Sequence, residues 1–234
     1  MEKIIESERS IIPACDVFTI EEYERIVKNT SNINKIGAYK PGVMLGLGYG
    51  LPRVVEVTRK HTSKKIIYDN QKAGNDIPEM GVNYAKVLKD SGIDAAILFC
   101  HSGPETQRAY IEAAFEQGLG VIVGGLMTHS KYTRSEGGYI ADEAIMEMYL
   151  NAAAMGVTDF VVPGNKLGRI VEIRSRLEEA GINPTFYSPG FVAQGGKISE
   201  AARVAGNSWH AIVGRGIYEA KNIQQAALEL TCFL

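Results

Sequence analysis

The chain has 234 residues, 45% of them hydrophobic and 22% charged, with a formal net charge of −2. These are the proportions of an ordinary globular protein with room for a large core, and they exclude the broad basic field that non-specific nucleic-acid binding needs. An anionic ligand would therefore have to be held by local groups. Cys15, Cys100 and Cys232 are scattered, without metal-ligand spacing, which suits a reducing compartment. The charged start, Met1 to Arg9, lacks the apolar stretch of a secretory leader, and no apolar run approaches the roughly 20 residues of a membrane span. The expectation is a cytoplasmic protein with neither nucleic-acid nor membrane partners.

In chain order, short β-rich runs alternate with amphipathic stretches. The expected strands are Ser10–Cys15, Ile33–Ala38, Lys65–Asp69, Ala95–Cys100, Gly120–Gly124, Asp159–Val162, Thr185–Ser188 and Ala211–Val213. Between them, Thr19 with Glu22 reads as a capping box opening a helix from Ile20 to Lys28. Pro52–Lys60, Met80–Asp90, Glu105–Gln117, Ala141–Met155, Lys197–Ala205 and Ile217–Leu230 read as further helices. Ile170, Ile173, Arg174 and Leu177 recur at helical spacing before a stop at Gly181. Gly46-Leu47-Gly48-Tyr49-Gly50 lacks full nucleotide-loop spacing and reads as a flexible connection. Eight strands, each followed by a helix, predict an α/β fold of the (β/α)8 barrel type, a TIM barrel, as a single domain over residues 1–234. An open doubly wound sheet is the alternative, but Asp16-Val17-Phe18-Thr19 after the first strand carries no glycine fingerprint.

Chemistry in such a barrel collects at the C-terminal ends of the strands. The most informative segment there is Ile66 to Pro78. An apolar run stops at Asp69, Lys72 and Asp76, two carboxylates bracketing one lysine. Charges at the mouth of a buried strand are costly unless paired. This set can keep a lysine charged and oriented, and can repel a substrate anion. Asp16, after the first strand, reads either as a helix N-terminal acid or as a site residue. Lys35, within the expected second strand, should face a partner or water. His61 and His210 read as surface or packing residues, and His101 and His129 as lone histidines at strand ends. No cluster has the ligand set of a zinc or iron site, so no metal is expected.

Ser188-Pro189-Gly190-Phe191-Val192-Ala193-Gln194-Gly195-Gly196 follows the seventh strand, and Gly214-Arg215-Gly216 the eighth. Barrels often place a phosphate in these two loops, where glycine lets backbone N–H groups approach and arginine supplies a fork-shaped cation. Two tight turns are the plainer reading, but the pairing with arginine favours phosphate.

With these residues in order, the chain resembles the orotidine 5′-monophosphate decarboxylase family, particularly its compact archaeal form, over most of its length. The resemblance rests on Asp16, Lys35-Ile36-Gly37, the Asp69/Lys72/Asp76-Ile77-Pro78 cluster, His101 and Met127-Thr128-His129. Its most specific parts are Ser188-Pro189-Gly190 through Gly196 and Ile212-Val213-Gly214-Arg215. It implies decarboxylation of orotidine monophosphate to uridine monophosphate, without a cofactor, in a homodimer with sites at the interface. Lys35, Asp69, Lys72 and Asp76 would form a charged catalytic network, in which Lys72 would protonate C6 of the pyrimidine and Asp69 would sit beside the substrate carboxylate. Asp76 would reach the neighbouring subunit's site, Asp16 and Lys35 would contact the ribose, and Thr128 would meet the pyrimidine edge. Pro189, Gln194, Gly195, Gly214 and Arg215 would form the phosphate site. The chain departs from the family at three places. Its acid–lysine–acid spacing has one extra residue on each side of the lysine, so Asp69 and Lys72 converge only if the chain leaves the strand between them, and Asn70 competes for the acid's position. Met80 stands where threonine is usual, and Lys131-Tyr132-Thr133-Arg134 replaces a proline-glycine. The competing functions are a Mg²⁺-dependent sugar-phosphate lyase of the same superfamily, such as a hexulose-phosphate synthase, and a catalytically silent nucleotide-binding barrel. A lysine on the second strand, where the metal enzymes carry an acid, argues against the former.

Overall fold

A computed structural model describes residues 3–71 and 73–234. Eight strands close into a parallel barrel in sequence order: β1 (Arg9–Cys15), β2 (Ala38–Pro41), β3 (Lys65–Asp69), β4 (Ala95–Phe99), β5 (Gly120–Gly124), β6 (Asp159–Val161), β7 (Thr185–Ser188) and β8 (Trp209–Val213). β1 closes the ring by pairing with both β2 and β8, with Ile11 opposite Ala211 and Ala14 opposite Lys40. The outer layer comprises α1 (Ile20–Thr30), α2 (Val43–Tyr49), α3 (Leu51–Arg59), α4 (Met80–Asp90), α5 (Pro104–Glu116), α6 (Asp142–Ala154), α7 (Leu167–Glu179), α8 (Ile198–Val204), α9 (Arg215–Tyr218) and α10 (Ile223–Thr231).

Strand periodicity divides the core in two. Ile12, Ile67, Ile97, Phe99, Ile122, Tyr187 and Ile212 fill the barrel interior, while Ile11, Ile66, Leu98, Val123 and Phe186 face the helices. Both faces are covered, which is why the strands read as unbroken apolar runs. The capping box on α1 forms as its spacing predicts. Thr19 Oγ1 accepts from the Glu22 amide at 3.2 Å, and the Glu22 carboxylate accepts from the Thr19 amide at 3.1 Å.

Three expectations are corrected. The second strand begins at Ala38, not Ile33. Residues 30–36 wind through two turns, Ile33 N to Thr30 O and Ile36 N to Ile33 O, and the carbonyls of Ile33 and Ile36 also accept from Lys64 Nζ. Those groups are spent before a ladder can start. The glycine-rich stretch around Gly46 is helix α2, ended by Gly50 at a φ of 76°. Gly46 is required there by close packing, since a Cβ would lie 2.7 Å from the Tyr68 hydroxyl. The last helix is two, α9 and α10, because Asn222 re-caps the chain by accepting from the Gln225 amide at 3.0 Å.

Candidate active site

The C-terminal ends of the strands surround a cavity of about 440 Å³. Its floor is the inner apolar layer, with Ile97, Phe99, Val161 and Ile212 exposed to it. Its walls are the loops that follow the strands.

One wall is charged. Lys40, one residue before the end of β2, is 5% exposed and donates from Nζ to Asp69 Oδ2 at 2.5 Å. Asp16 Oδ1 lies 3.9 Å from the same nitrogen. Burial works against the ammonium, but the charges of Asp69 and Asp16 and the hydrogen bond to Asp69 outweigh it, holding the pKa above the ordinary lysine value. Gly42 lets Asp16 approach, since a Cβ there would stand 2.5 Å from Asp16 Oδ1. The second oxygen of Asp69, Oδ1, is buried and finds no hydrogen-bond partner among the described residues.

Lys35 does not share this wall. It is exposed, three residues before β2, at the opposite end of the strand from the cavity. Its backbone carbonyl pairs with the Ile11 amide at 2.8 Å. Lys40 is the lysine that β2 presents, and the sequence held a signal for it. Lys40 lies immediately before Pro41-Gly42, a pair that terminates strands, and two residues beyond the inward-facing Ala38.

The loop from β3 to α4 leaves the ladder after Asp69, where the Ala73 amide turns back to the Asn70 carbonyl at 2.7 Å. Lys72 lies outside the described residues. The rest of the loop is fastened to β4 and α5. The Phe99 amide donates to Ala73 O at 3.0 Å, the His101 amide to Asn75 Oδ1 at 2.8 Å, and Thr106 Oγ1 to Asp76 O at 3.0 Å. Gly74 adopts a φ of 83° and approaches Cys100 so closely that a Cβ would be 2.7 Å from its sulfur. Asp76 is exposed, does not line the cavity, and accepts from the Ile77 amide. Asn70 and Gln71 both line the cavity beside Asp69.

The far wall is built from β5, β7 and β8. Thr128 lines the cavity, and its carbonyl is held by Asn165 Nδ2 at 3.1 Å. Pro189, Gly190, Gln194, Gly214 and Arg215 line it too, whereas Gly195 is exposed with a φ of 82° and stands outside it. Arg215 is exposed and enters no ion pair or hydrogen bond among the described residues, so its guanidinium is available to an anion. Phe191 anchors the β7–α8 loop. Its ring sits edge-on to Trp209 at 5.8 Å between centroids and presses on Gly164, where a Cβ would overlap it. The next residue, Val192, holds a φ of 61°, which β-branched side chains rarely adopt. Tyr218, one turn after Arg215, also lines the cavity and was not singled out by sequence reasoning.

Cys15 and Cys100 are buried thiols whose pKa burial raises, Cys100 to about 12, so neither is poised as a nucleophile. Among the described residues no group of three His, Cys, Asp or Glu side chains could hold a metal ion, and no helix is long and apolar enough to cross a membrane.

A closed (β/α)8 barrel with a buried ammonium–carboxylate pair on one wall and a free arginine beside glycine-rich loops on the other defines a class of barrel built for small anionic ligands. The family model for orotidine 5′-phosphate decarboxylase / HUMPS matches residues 9–230, and the chain belongs to that family. It is 34% identical over 229 residues to an orotidine 5′-phosphate decarboxylase of Methanosarcina mazei, covering 97% of this chain and 95% of the relative. Among solved structures it superposes on the Methanocaldococcus jannaschii orotidine 5′-monophosphate decarboxylase, complexed with the inhibitor BMP, with a TM-score of 0.83 at 25% identity. That match covers 97% of this chain and 98% of the other. A Pyrococcus horikoshii orotidine 5′-phosphate decarboxylase matches with a TM-score of 0.78 at 29% identity, covering 95% and 98% of the two chains.

Proposed function

We propose that this chain converts orotidine 5′-monophosphate to uridine 5′-monophosphate without a cofactor. The observation that carries this is the buried Lys40–Asp69 pair, whose Asp69 keeps one carboxylate oxygen unmatched among the described residues. A buried carboxylate oxygen calls for a second cation. Lys72, three residues further along the chain, is the group to supply it. Family membership and the named relatives agree with this reaction.

In the proposed reaction the bond from C6 to the carboxylate breaks, carbon dioxide leaves, and the electron pair stays at C6. The Lys72 ammonium stabilises that pair and then transfers a proton to it, forming the C–H bond of the product. The lysine regains a proton from water. Asp69, beside the departing carboxylate, favours its loss as a neutral molecule. Lys40 fixes Asp69 and takes the ribose-side role that the resemblance assigned to Lys35. Asp16 meets the ribose, Thr128 the pyrimidine edge, and Gln194 with Arg215 the phosphate. The phosphate is remote from the breaking bond, so its binding energy serves to orient the ring and close the site.

The active unit is a homodimer in which Asp76 reaches the partner's cavity. Asp76 is exposed beside Ile77 (59% exposed), and Met44 and Leu47 (42% and 83%) are exposed on α2 nearby in sequence to the cavity wall. Two-fold burial would cover such residues. A Mg²⁺-dependent lyase is the weaker reading, because the Lys40 ammonium already occupies the space between Asp16 and Asp69 that a cation would need.

Incubation with orotidine monophosphate should give loss of substrate absorbance and formation of uridine monophosphate, unaffected by chelators. A folded protein without turnover at high enzyme concentration sinks the proposal. Loss of activity on chelation reverses it in favour of the metal enzyme.

A further inference from the structure

Two of the three departures of this chain from the family's pattern meet at one residue, His101. The β3–α4 loop carries the altered spacing between Asp69 and Asp76, and within it Asn75 Oδ1 accepts from the His101 amide at 2.8 Å. The segment that replaces the proline-glycine contains Tyr132, and its hydroxyl hydrogen-bonds the His101 ring at Nε2. Tyr132 is 9% exposed, and its hydroxyl also lies 2.8 Å from the Gly125 carbonyl at the end of β5.

These contacts fix the hydrogens. A carbonyl only accepts, so the phenol hydrogen is committed to Gly125 and the phenol oxygen must accept from His101. His101 is therefore the tautomer protonated at Nε2. Its ring stacks obliquely on Phe99 of the cavity floor at 5.7 Å, and Tyr132 takes the His129 ring edge at 5.5 Å. The preceding Lys131 has a φ of 57°, in the left-handed region that disfavours a lysine.

We propose that Tyr132 is a positioning residue. Through His101 and Asn75 it holds the lengthened β3–α4 loop in register with Asp69, so that the extra residues do not displace the proton donor. This rests on the decarboxylase reading above. Tyr132, His101 and Asn75 do not line the cavity. They act through the loop, and the loop's alignment is a matter of sub-ångström placement, where a 1 Å error costs on the order of 100-fold in rate.

The test uses the full-length protein with Tyr132→Phe, Asn75→Ala and the double variant. Tyr132→Phe keeps the ring packing and deletes only the hydroxyl. Each single variant should lower kcat by about 10- to 100-fold while leaving the dissociation constant for uridine monophosphate within about twofold, since the phosphate wall is untouched. The double variant should be no slower than the worse single, because the residues act as one unit. Asn75→Asp, which keeps the acceptor for the His101 amide but loses the Nδ2 donor to Gln71 O at 3.2 Å, should restore only part of kcat. Amide hydrogen exchange read at His101 and Ala73 should quicken in Tyr132→Phe. Exchange is independent of substrate, so an inert wild-type protein refutes the decarboxylase reading while exchange still decides the coupling. Unchanged exchange at both amides in Tyr132→Phe overturns the proposal. So does an unchanged kcat in an active enzyme, or a loss of uridine monophosphate affinity as large as the loss of kcat.

Discussion

The two ends of the barrel interior bury polar groups in the same low-dielectric surroundings and resolve the cost in opposite ways. At the C-terminal mouth, Lys40 stays charged because Asp69 and Asp16 outweigh its burial. At the N-terminal end, Ser10 pairs with His210 Nδ1 at 2.8 Å, and the Tyr187 hydroxyl donates to Asp159 at 2.8 Å. There burial prevails. It lowers the His210 pKa to about 3 and raises that of Asp159. At the bottom, burial pushes His210 and Asp159 towards their uncharged forms, and at the top a charged pair leaves one carboxylate oxygen unmatched among the described residues. The difference lies in counter-charge rather than depth. A buried group remains ionised only where an opposite charge is built in beside it.

The sharpest way to break this comparison is Lys40→Met. It strands Asp69 without its described counter-charge, which should cost about 3–5 kcal/mol of stability. It should also lower kcat/KM by roughly 1,000-fold, at the upper end of the effect of losing one preorganised electrostatic group. Thermal unfolding and steady-state kinetics read the two effects, and near-wild-type turnover would show that the pair is only structural. Arg215→Ala should be milder in kind. It removes charge-assisted bonds worth about 1.5–3 kcal/mol, lowering kcat/KM by roughly 10- to 150-fold with little change in melting temperature.

The bottom layer sets a pH dependence. The unfolded chain protonates His210 near pH 6.5 and the folded one only near 3. Between these values the unfolded state binds more protons, so stability is intact above pH 6.5 and falls as pH drops towards 3. Over the first 1.5 units the loss is at most about 2 kcal/mol. Asp159 acts in the opposite sense, its raised folded pKa making stability fall with rising pH above the ordinary carboxylate value. Denaturant titrations at pH 7 and pH 5 should show the net loss, and His210→Gln should flatten it. The smallest effect lies away from both layers. Thr19→Ala deletes the α1 cap and should cost about 1 kcal/mol in stability with unchanged kcat.

The barrel was legible in the sequence because parallel strands covered on both faces leave continuous apolar runs; seven of the eight expected strands overlap those found by three residues or more, and the second meets β2 only at Ala38. β2 was misplaced because Ile33 and Ile36 are buried by turns, and burial in a turn looks the same as burial in a strand when only the residue types are known. That one misplacement exchanged Lys40 for Lys35. The segments lining the far wall of the cavity were legible from glycine and arginine at loop positions. The Asn75–His101–Tyr132 link was not, because its partners lie 26 and 31 residues from His101 in sequence and no short-range pattern joins them.

The fit of Phe191 against Gly164 gives the two positions a shared history. They draw on one volume, so a methyl gained at 164 has no place until the ring at 191 is lost, and that ring is what braces the β7–α8 loop on Trp209. Position 164 has no room for a side chain while that ring stays in place. In lineages that keep an aromatic at 191, position 164 should stay glycine, and any exchange should arrive as a pair.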